Sequence, residues 1–124
     1  MKQWLAIAAC MGGLGVLCGA FAAHGLKGRV DAYALSVFET GARYHMYHAL
    51  AMALAALAGR DPAARPRARI AAALFGLGIV LFSGSLYLLA LTAAPWLGLV
   101  TPLGGIAFVA GWAMLALAAL RLRD

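Results

Sequence analysis

Apolar residues fill four long stretches of the chain, and most charged residues lie at the ends of these stretches or between them. The stretches cover about residues 4–23, 42–58, 70–91 and 103–120. At ~1.5 Å of rise per residue, a helix needs about 20 residues to cross a hydrocarbon core of ~30 Å. The pattern therefore predicts four transmembrane helices with short connections, all within a single domain of residues 1–124.

The composition indicates a membrane protein. The chain is 65% hydrophobic and 11% charged, with a mean hydropathy of +0.92, whereas soluble domains carry about 25% charged residues. The predicted fold class is an all-α membrane protein, a four-helix transmembrane bundle. A net charge of +6 would suggest nucleic-acid binding in a soluble chain. Here the basic residues flank apolar spans, where they contact lipid headgroups, so the lipid bilayer is the expected partner and nucleic acid is not.

The distribution of basic residues predicts the orientation of the bundle. With four spans, both termini and the loop of residues 59–69 share one side of the membrane. That side holds seven basic residues, which are Lys2, Arg60, Arg65, Arg67, Arg69, Arg121 and Arg123, and the opposite side holds three, which are Lys27, Arg29 and Arg43. By the positive-inside rule, we expect a multi-pass protein of the bacterial inner membrane with both termini in the cytoplasm.

Polar segments that contain glycine or proline mark the connections between the spans. A glycine-rich turn at residues 24–29 ends the first helix, and residues 59–69, with two prolines and four arginines, form a loop. An uncharged turn covers residues 92–102, and Pro102 is expected to start the last helix.

The start of the second span allows two structures. Asp31 is placed to cap a new helix. Either a short interfacial helix runs from Asp31 to Thr40 and bends at Gly41, or one long helix begins near Tyr33. Both alternatives place residues 38–50 in the headgroup region or one turn below it.

Residues 38–50, with the sequence FETGARYHMYHAL, concentrate the charged, aromatic and imidazole side chains of the chain. Glu39, Arg43 and Tyr47 form one helical stripe at spacing i, i+4, i+8. The spacing of Glu39 and Arg43 predicts an ion pair, which would offset the cost of a charge near the bilayer. Tyrosines of this region and beyond it are typical of an interfacial aromatic belt, and they are Tyr33, Tyr44, Tyr47 and Tyr87.

His45 and His48 lie three residues apart, on the side of the helix away from Glu39. We expect them to form hydrogen bonds to serines or to a backbone carbonyl across the bundle. Their spacing would also suit a metal, with His24 as a third ligand, but neither a carboxylate nor a thiolate is placed to complete the shell. The sequence therefore predicts no metal, no cofactor and no enzymatic activity, since a nucleophilic serine would also need a base and an oxyanion site.

The predicted orientation places the polar residues of several spans in the outer half of the bundle. They form a candidate binding cluster of His24, Glu39, Arg43, Tyr44, Tyr47, His48, Ser83, Ser85, Tyr87 and Thr101. Glycines are the second recurrent feature, since small residues let membrane helices approach closely. The glycines expected to pack are Gly12, Gly15, Gly19, Gly76, Gly84, Gly104, Gly105 and Gly111, and such faces would also allow homo-oligomerisation.

Four motifs in this order resemble one known family. They are GAFAAHGL at residues 19–26, FETGARYHMYHAL at 38–50, FSGSLY at 82–87 and TPLGG at 101–105. The chain is similar to the small bacterial inner-membrane proteins known as domain of unknown function 423, and to eukaryotic transmembrane protein 256. The resemblance implies four retained spans and no established molecular function. Relatives often carry Gln at the position of His45, and that departure weakens a metal pair of His45 and His48.

Two hypotheses for the function follow. The first is a compact structural or interaction bundle that packs with itself or with a membrane partner. The second is a small oligomeric carrier, channel, or metal- or small-molecule-binding protein that uses His24, Glu39, Arg43 and His48. The sequence names neither a ligand nor an oligomeric state.

Overall fold

The helices of the computed structural model account for nearly all of residues 1–123, the part of the chain that it describes. Helix α1 continues into a π-helical turn, and α3 and α4 are joined by a second π-helical turn into one unbroken segment. The bounds are α1 Lys2–Phe21, π-turn Ala22–Leu26, α2 Ala32–Ala58, α3 Arg65–Gly78, π-turn Ile79–Ser83, α4 Gly84–Thr92 and α5 Leu97–Ala119. No strand occurs within residues 1–123, so the protein is an all-α membrane bundle.

Three helical segments are long and apolar enough to cross a membrane by themselves. They are Lys2–Leu26, Arg65–Thr92 and Leu97–Ala119. Helix α2 has 27 residues, about 40 Å at the α-helical rise, but it carries the polar cluster of residues 38–50. It contacts α1, α3, α4 and α5, so one face of α2 packs against the other helices, while a second face, which includes Tyr47, Leu50 and Leu54, is exposed.

The helical segments alternate in direction along the bundle. Ala118, near the end of α5, is buried in one small cluster with Ala64 and Ala68 at the start of α3. Met1, before α1, and Ala58, at the end of α2, pack against the same cluster. The first and last helices therefore have their chain termini at the same end of the bundle.

Close approach between α3 and α5 depends on glycines that face aromatic rings. A Cβ on Gly78 would lie within 2.3 Å of Phe108, and a Cβ on Gly111 within 2.8 Å of Phe75. Phe75 is completely buried. Each helix thus supplies a ring to the space that a glycine leaves open on the other, which brings the two backbones together.

The predicted packing glycines differ in how closely they are approached. Gly15, Gly104 and Gly111 contact neighbouring helices tightly, whereas a Cβ on Gly76, Gly84 or Gly105 would meet its nearest atom only at 3.5–4.0 Å. Gly12 and Gly19 have nothing within 4 Å, so their predicted packing is not made within a single chain. Gly41 and Gly78, which the sequence analysis did not select, pack closely against Tyr87 and Phe108.

Helix α2 is continuous from Ala32 to Ala58, so the alternative with a separate interfacial helix and a bend at Gly41 is wrong. The predicted cap is confirmed, since the amide of Ala34 donates to Asp31 Oδ1 at 2.7 Å. Gly41 lies within the helix, and the ring of Tyr87 packs beside it, 2.9 Å from where a Cβ would be.

Two connections are shorter than the sequence pattern predicted. His24 and Gly25 belong to the π-helical turn, and the chain reverses later, around Gly28 at φ +83°. Helix α3 begins at Arg65, inside the predicted loop of residues 59–69, with Pro66 in its first turn. A proline is tolerated there because the first amides of a helix have no intrahelical acceptor.

Pro102 does not start the last helix. Helix α5 begins at Leu97 and passes through Pro102. The turn around Pro95 already provides the first bonds, since the amides of Leu97 and Gly98 donate to the carbonyls of Ala94 and Pro95. The fixed φ of Pro95 suits a helix start, which explains why the helix begins earlier than predicted.

Asp61 ties the end of the chain to the connection between α2 and α3. Its Oδ2 accepts the amide of Arg123 at 2.9 Å and its Oδ1 accepts the amide of Ala63 at 2.7 Å. The bonds from Arg123 and Ala63 hold the pKa of this carboxyl below its ordinary value of 3.8, because they favour its charged form.

Replacing Gly104 with alanine tests the close packing of the bundle. The new Cβ would lie 2.3 Å from the backbone nitrogen of Phe82, which cannot move without shifting the helix. We expect Gly104→Ala to destabilise the protein by about 1–3 kcal/mol, measured by thermal unfolding in detergent. Gly105→Ala is the matched control, since its nearest neighbour is 4.0 Å away. Equal effects of the two substitutions would contradict the packing described.

The tether at Asp61 predicts a pH dependence. Because the folded-state pKa is depressed, the tether contributes fully at pH values above 3.8 and is lost as the pH falls through the lower folded-state pKa. We expect the amide proton shifts of Ala63 and Arg123 to titrate together in NMR spectra, with a midpoint below 3.8. The titration should disappear in Asp61→Asn. A midpoint at or above the ordinary value would argue against the tether.

Candidate functional site

His48 lies at the centre of the candidate site, and both of its ring nitrogens are bonded. Nδ1 lies 2.7 Å from the carbonyl of Tyr44, one turn earlier in α2, and the indole Nε1 of Trp112 on α5 donates to Nε2 at 3.2 Å. A carbonyl only accepts and an indole N–H only donates. His48 therefore carries its proton on Nδ1, and Nε2 is an acceptor, which is a neutral tautomer.

Aromatic side chains enclose this imidazole. The ring of Phe108 is stacked on it, with centroids 3.4 Å apart and planes within 6° of parallel. Phe75 lies 5.8 Å from it, and Phe75 and Trp112 meet edge to face at 5.3 Å. His48 is only 5% exposed. The ring is thus held by α3 and α5 on its sides and by α2 from behind.

His45 faces a different part of the bundle. Its Nδ1 lies 2.9 Å from the hydroxyl of Tyr87 on α4, and its ring packs beside Gly15 of α1. His45 is 1% exposed. No hydrogen bond of acceptable geometry reaches its Nε2.

Ser85 and Thr101 link α4 to α5. Ser85 Oγ donates to the carbonyl of Phe82 at 2.9 Å and lies 2.6 Å from Thr101 Oγ1. Thr101 Oγ1 also lies 3.4 Å from the carbonyl of Leu97, so either hydroxyl can be the donor in this pair. Ser83, the last residue of the π-helical turn, is fully buried, and its Oγ has no partner.

Several charged and tyrosine members of the predicted cluster lie at the surface, although the ring of Tyr44 also stacks on His48, with centroids 6.0 Å apart. His24, Glu39, Arg43, Tyr44 and Tyr47 are exposed. The predicted ion pair of Glu39 and Arg43 is wrong, since no bond joins them in the described part of the chain. At the bundle surface each side chain is free to move, so pairing gains little.

The predicted partners of the histidines are only partly right. His48 does bond to a backbone carbonyl, but on its own helix, and neither Ser83 nor Ser85 is a partner of a histidine. Tyr87, expected in an interfacial belt, turns inward to His45. No group of three or more potential metal ligands gathers within residues 1–123, so His24 does not join the two histidines of α2.

The sequence analysis missed Trp112 and Phe108, which contribute most to the environment of His48. The two lie four residues apart, on one face of α5. In an apolar helix this spacing is easily taken for lipid-facing surface, and Trp112 is indeed 46% exposed. The sequence did offer one indication of this contact. A Trp within a membrane span needs an acceptor for its indole N–H, so Trp112 could have been expected to bond to a polar side chain of another helix.

The fold, with its apolar helices around a buried polar centre, defines an integral membrane protein. Over residues 18–105 the chain matches the family described as "Protein of unknown function (DUF423)". It belongs to this family, as its motifs predicted, and the family has no assigned molecular function.

Relatives match over nearly the whole chain. The chain is 43% identical over 121 residues to the UPF0382 membrane protein YwdK of Bacillus subtilis, covering 98% of both chains. It is 42% identical to a UPF0382 membrane protein of Haemophilus influenzae, covering 93% of this chain and 91% of that one. The UPF0382 inner membrane protein YgdD of Escherichia coli is 39% identical, with coverage of 96% and 90%. No solved structure matches significantly.

The bond between His48 and Trp112 can be measured with a double-mutant cycle. His48→Phe and Trp112→Phe each leave one polar group unpaired, whereas the double variant removes both and keeps the rings. We expect a coupling free energy of about 0.5–2 kcal/mol in unfolding experiments in detergent. The control cycle pairs His48→Phe with Trp96→Phe, since Trp96 is 63% exposed at the start of α5. If the two cycles gave the same coupling free energy, the hydrogen bond between His48 and Trp112 would be refuted.

Proposed function

We propose that the protein is a structural or interaction bundle of the inner membrane, with no catalytic activity. The observation that carries the proposal is the state of His48, the most reactive group at the centre. Both nitrogens are engaged, and the face of the ring is covered by Phe108. A general base or a ligand needs a free nitrogen directed at accessible space, which His48 does not offer.

The buried polar groups act instead as braces between helices. His48 to Trp112 joins α2 to α5, and His45 to Tyr87 joins α2 to α4. The hydroxyls of Ser85 and Thr101 join α4 to α5. In hydrocarbon there is no water to replace a lost partner, so each bond favours one arrangement of the helices. This is the use expected of polar residues in a bundle that must keep its shape.

The arrangement of the ends supports a topology of four crossings with both termini in the cytoplasm. Helix α2 runs in the opposite direction to α1 and α3 and is long enough to cross. Lys2, Arg60, Arg65 and Arg69 lie together at the end that carries the termini, and the positive-inside rule assigns such an end to the cytoplasm.

A reporter enzyme that is active only in the periplasm, fused to the carboxy terminus, tests this orientation. We expect the fusion to be inactive, and an active fusion would reverse the assignment.

Self-association through α1 is part of the proposal. Helix α1 packs mainly on α2, and Gly12, Gly13 and Gly19 have open space beside them. Glycines on an open face allow a second membrane helix to approach closely. A second copy of the chain is the simplest occupant, and its presence is read directly from the mass of the native assembly.

One observation favours the second candidate, a small carrier or a binding protein. His45 Nε2 and Ser83 Oγ are buried without a hydrogen-bonding partner. Buried polar atoms of this kind are rare and are commonly satisfied by a water or a ligand. The group concerned would be small, polar and enclosed.

Native mass spectrometry of the protein released from gentle detergent tests the proposal. The structural function predicts an assembly that carries no bound species other than lipid. It also predicts that Ser83→Ala leaves stability unchanged or raises it, by up to about 1 kcal/mol, because it removes an unpaired buried hydroxyl.

Ser85→Ala is the matched control and should destabilise, since it breaks two bonds. A defined non-lipid molecule or metal that is lost from Ser83→Ala or His45→Ala, while the bundle stays folded, would establish the carrier or binding function instead.

A further inference from the structure

A cavity opens at the end of the bundle that carries the chain termini. Its accessible volume is about 640 Å³, and it lies between the start of α1, the end of α2 and the start of α3. Four cationic side chains line it, Lys2, Arg60, Arg65 and Arg69. None of the described residues that line it is acidic. A concave site with four positive charges is suited to an anion.

Asp61 follows Arg60 in the sequence, but its carboxylate bonds elsewhere. Asp61 accepts bonds from the amides of Ala63 and Arg123, and it does not line the cavity. The starts of α1 and α3 also lie here, and their unpaired amides carry partial positive charge, whereas the end of α2 contributes carbonyls of partial negative charge. The positive potential of the cavity therefore comes mainly from the four cationic side chains.

Arg65 is held in place before any ligand arrives. Its Nε donates to the carbonyl of Gly59 at 3.1 Å, and its Nη2 donates to the carbonyl of Arg60 at 3.3 Å. These acceptors are neutral, so the charge of the guanidinium is not cancelled. A guanidinium has five N–H donors, and those left over have the geometry that binds phosphate oxygens in pairs.

Apolar residues continue the cavity toward the lipid-facing surface. Trp4, Leu5 and Leu57 line it together with the cations, and Leu5 and Leu57 are 40% and 45% exposed. A free phosphate would use only the charged part of this wall. A ligand with a phosphate head and an acyl chain would use both parts.

We propose that this cavity binds the headgroup of an anionic phospholipid, with its phosphate at Arg60, Arg65 and Arg69 and an acyl chain along Leu5 and Leu57. Basic pockets between membrane helices bind such headgroups in this way. The site is at the opposite end of the bundle from the start of α2, and it does not use the braces around His48. Its occupancy is therefore independent of the proposed structural function.

The test is native mass spectrometry of the full chain from mixed micelles that contain phosphatidylcholine, phosphatidylglycerol and diphosphatidylglycerol. The wild-type protein should retain the two anionic lipids in preference to the zwitterionic one. In Arg60→Gln and in Arg69→Gln, retention of anionic lipid should fall by about tenfold, which is the loss of one charge-assisted bond.

Arg67→Gln is the matched control, because it removes the same charge from the same helix but Arg67 does not line the cavity. Its retention should remain within about twofold of wild type, the effect of a remote surface charge. Lys2→Gln provides a further variant outside the arginine group. Circular dichroism in uncharged detergent checks that each variant is folded.

Three results would overturn the proposal. Retention of phosphatidylcholine equal to that of the anionic lipids would show that the cationic side chains do not select anionic headgroups. An equal loss in Arg67→Gln would indicate general surface attraction rather than a site. Stabilisation by inorganic phosphate at millimolar concentration, with no retention of lipid, would assign the cavity to a soluble anion.

Discussion

The structure depends on one constraint, which is that the buried face of α2 carries polar side chains inside a membrane bundle. Helix α2 carries two imidazoles into a region without water, where an unbonded polar group costs several kcal/mol. Trp112 and Tyr87 come from other helices to bond them. The helix that would be least stable in lipid by itself thus becomes the one around which the others assemble.

The glycines and the aromatic rings make this arrangement possible. Gly104 lets α5 approach the backbone at Phe82, and at that point Ser85 and Thr101 form their bond. One helical turn further along α5, Phe108 covers His48. Close packing and hydrogen bonding therefore support each other, because each bond across an interface needs a backbone separation that only a small residue allows.

The two ends of the bundle differ in chemistry. The start of α2 presents exposed Glu39 and Arg43, which form no pair, while the end with the termini gathers four cations around a cavity. Because the family has no assigned function, the chemical difference between the two ends is the main guide to what each end does. We propose that the interior serves to hold the helices together and that the charged end holds an anionic ligand.

Hydrophobicity and its period determined the fold class, the membrane location and the positions of the apolar helices, because these depend on local composition. The Asp31 cap was also predictable, since a cap bonds within one turn. The partners of His48 and His45 were not, because residues 64 and 42 positions away supply them. Only the tertiary structure decided that the indole of Trp112 bonds to His48, that Glu39 and Arg43 form no ion pair and that α2 is continuous at Gly41. The reason is that these features depend on atoms of other helices or on exposure to the surroundings, and neither can be read from the local sequence.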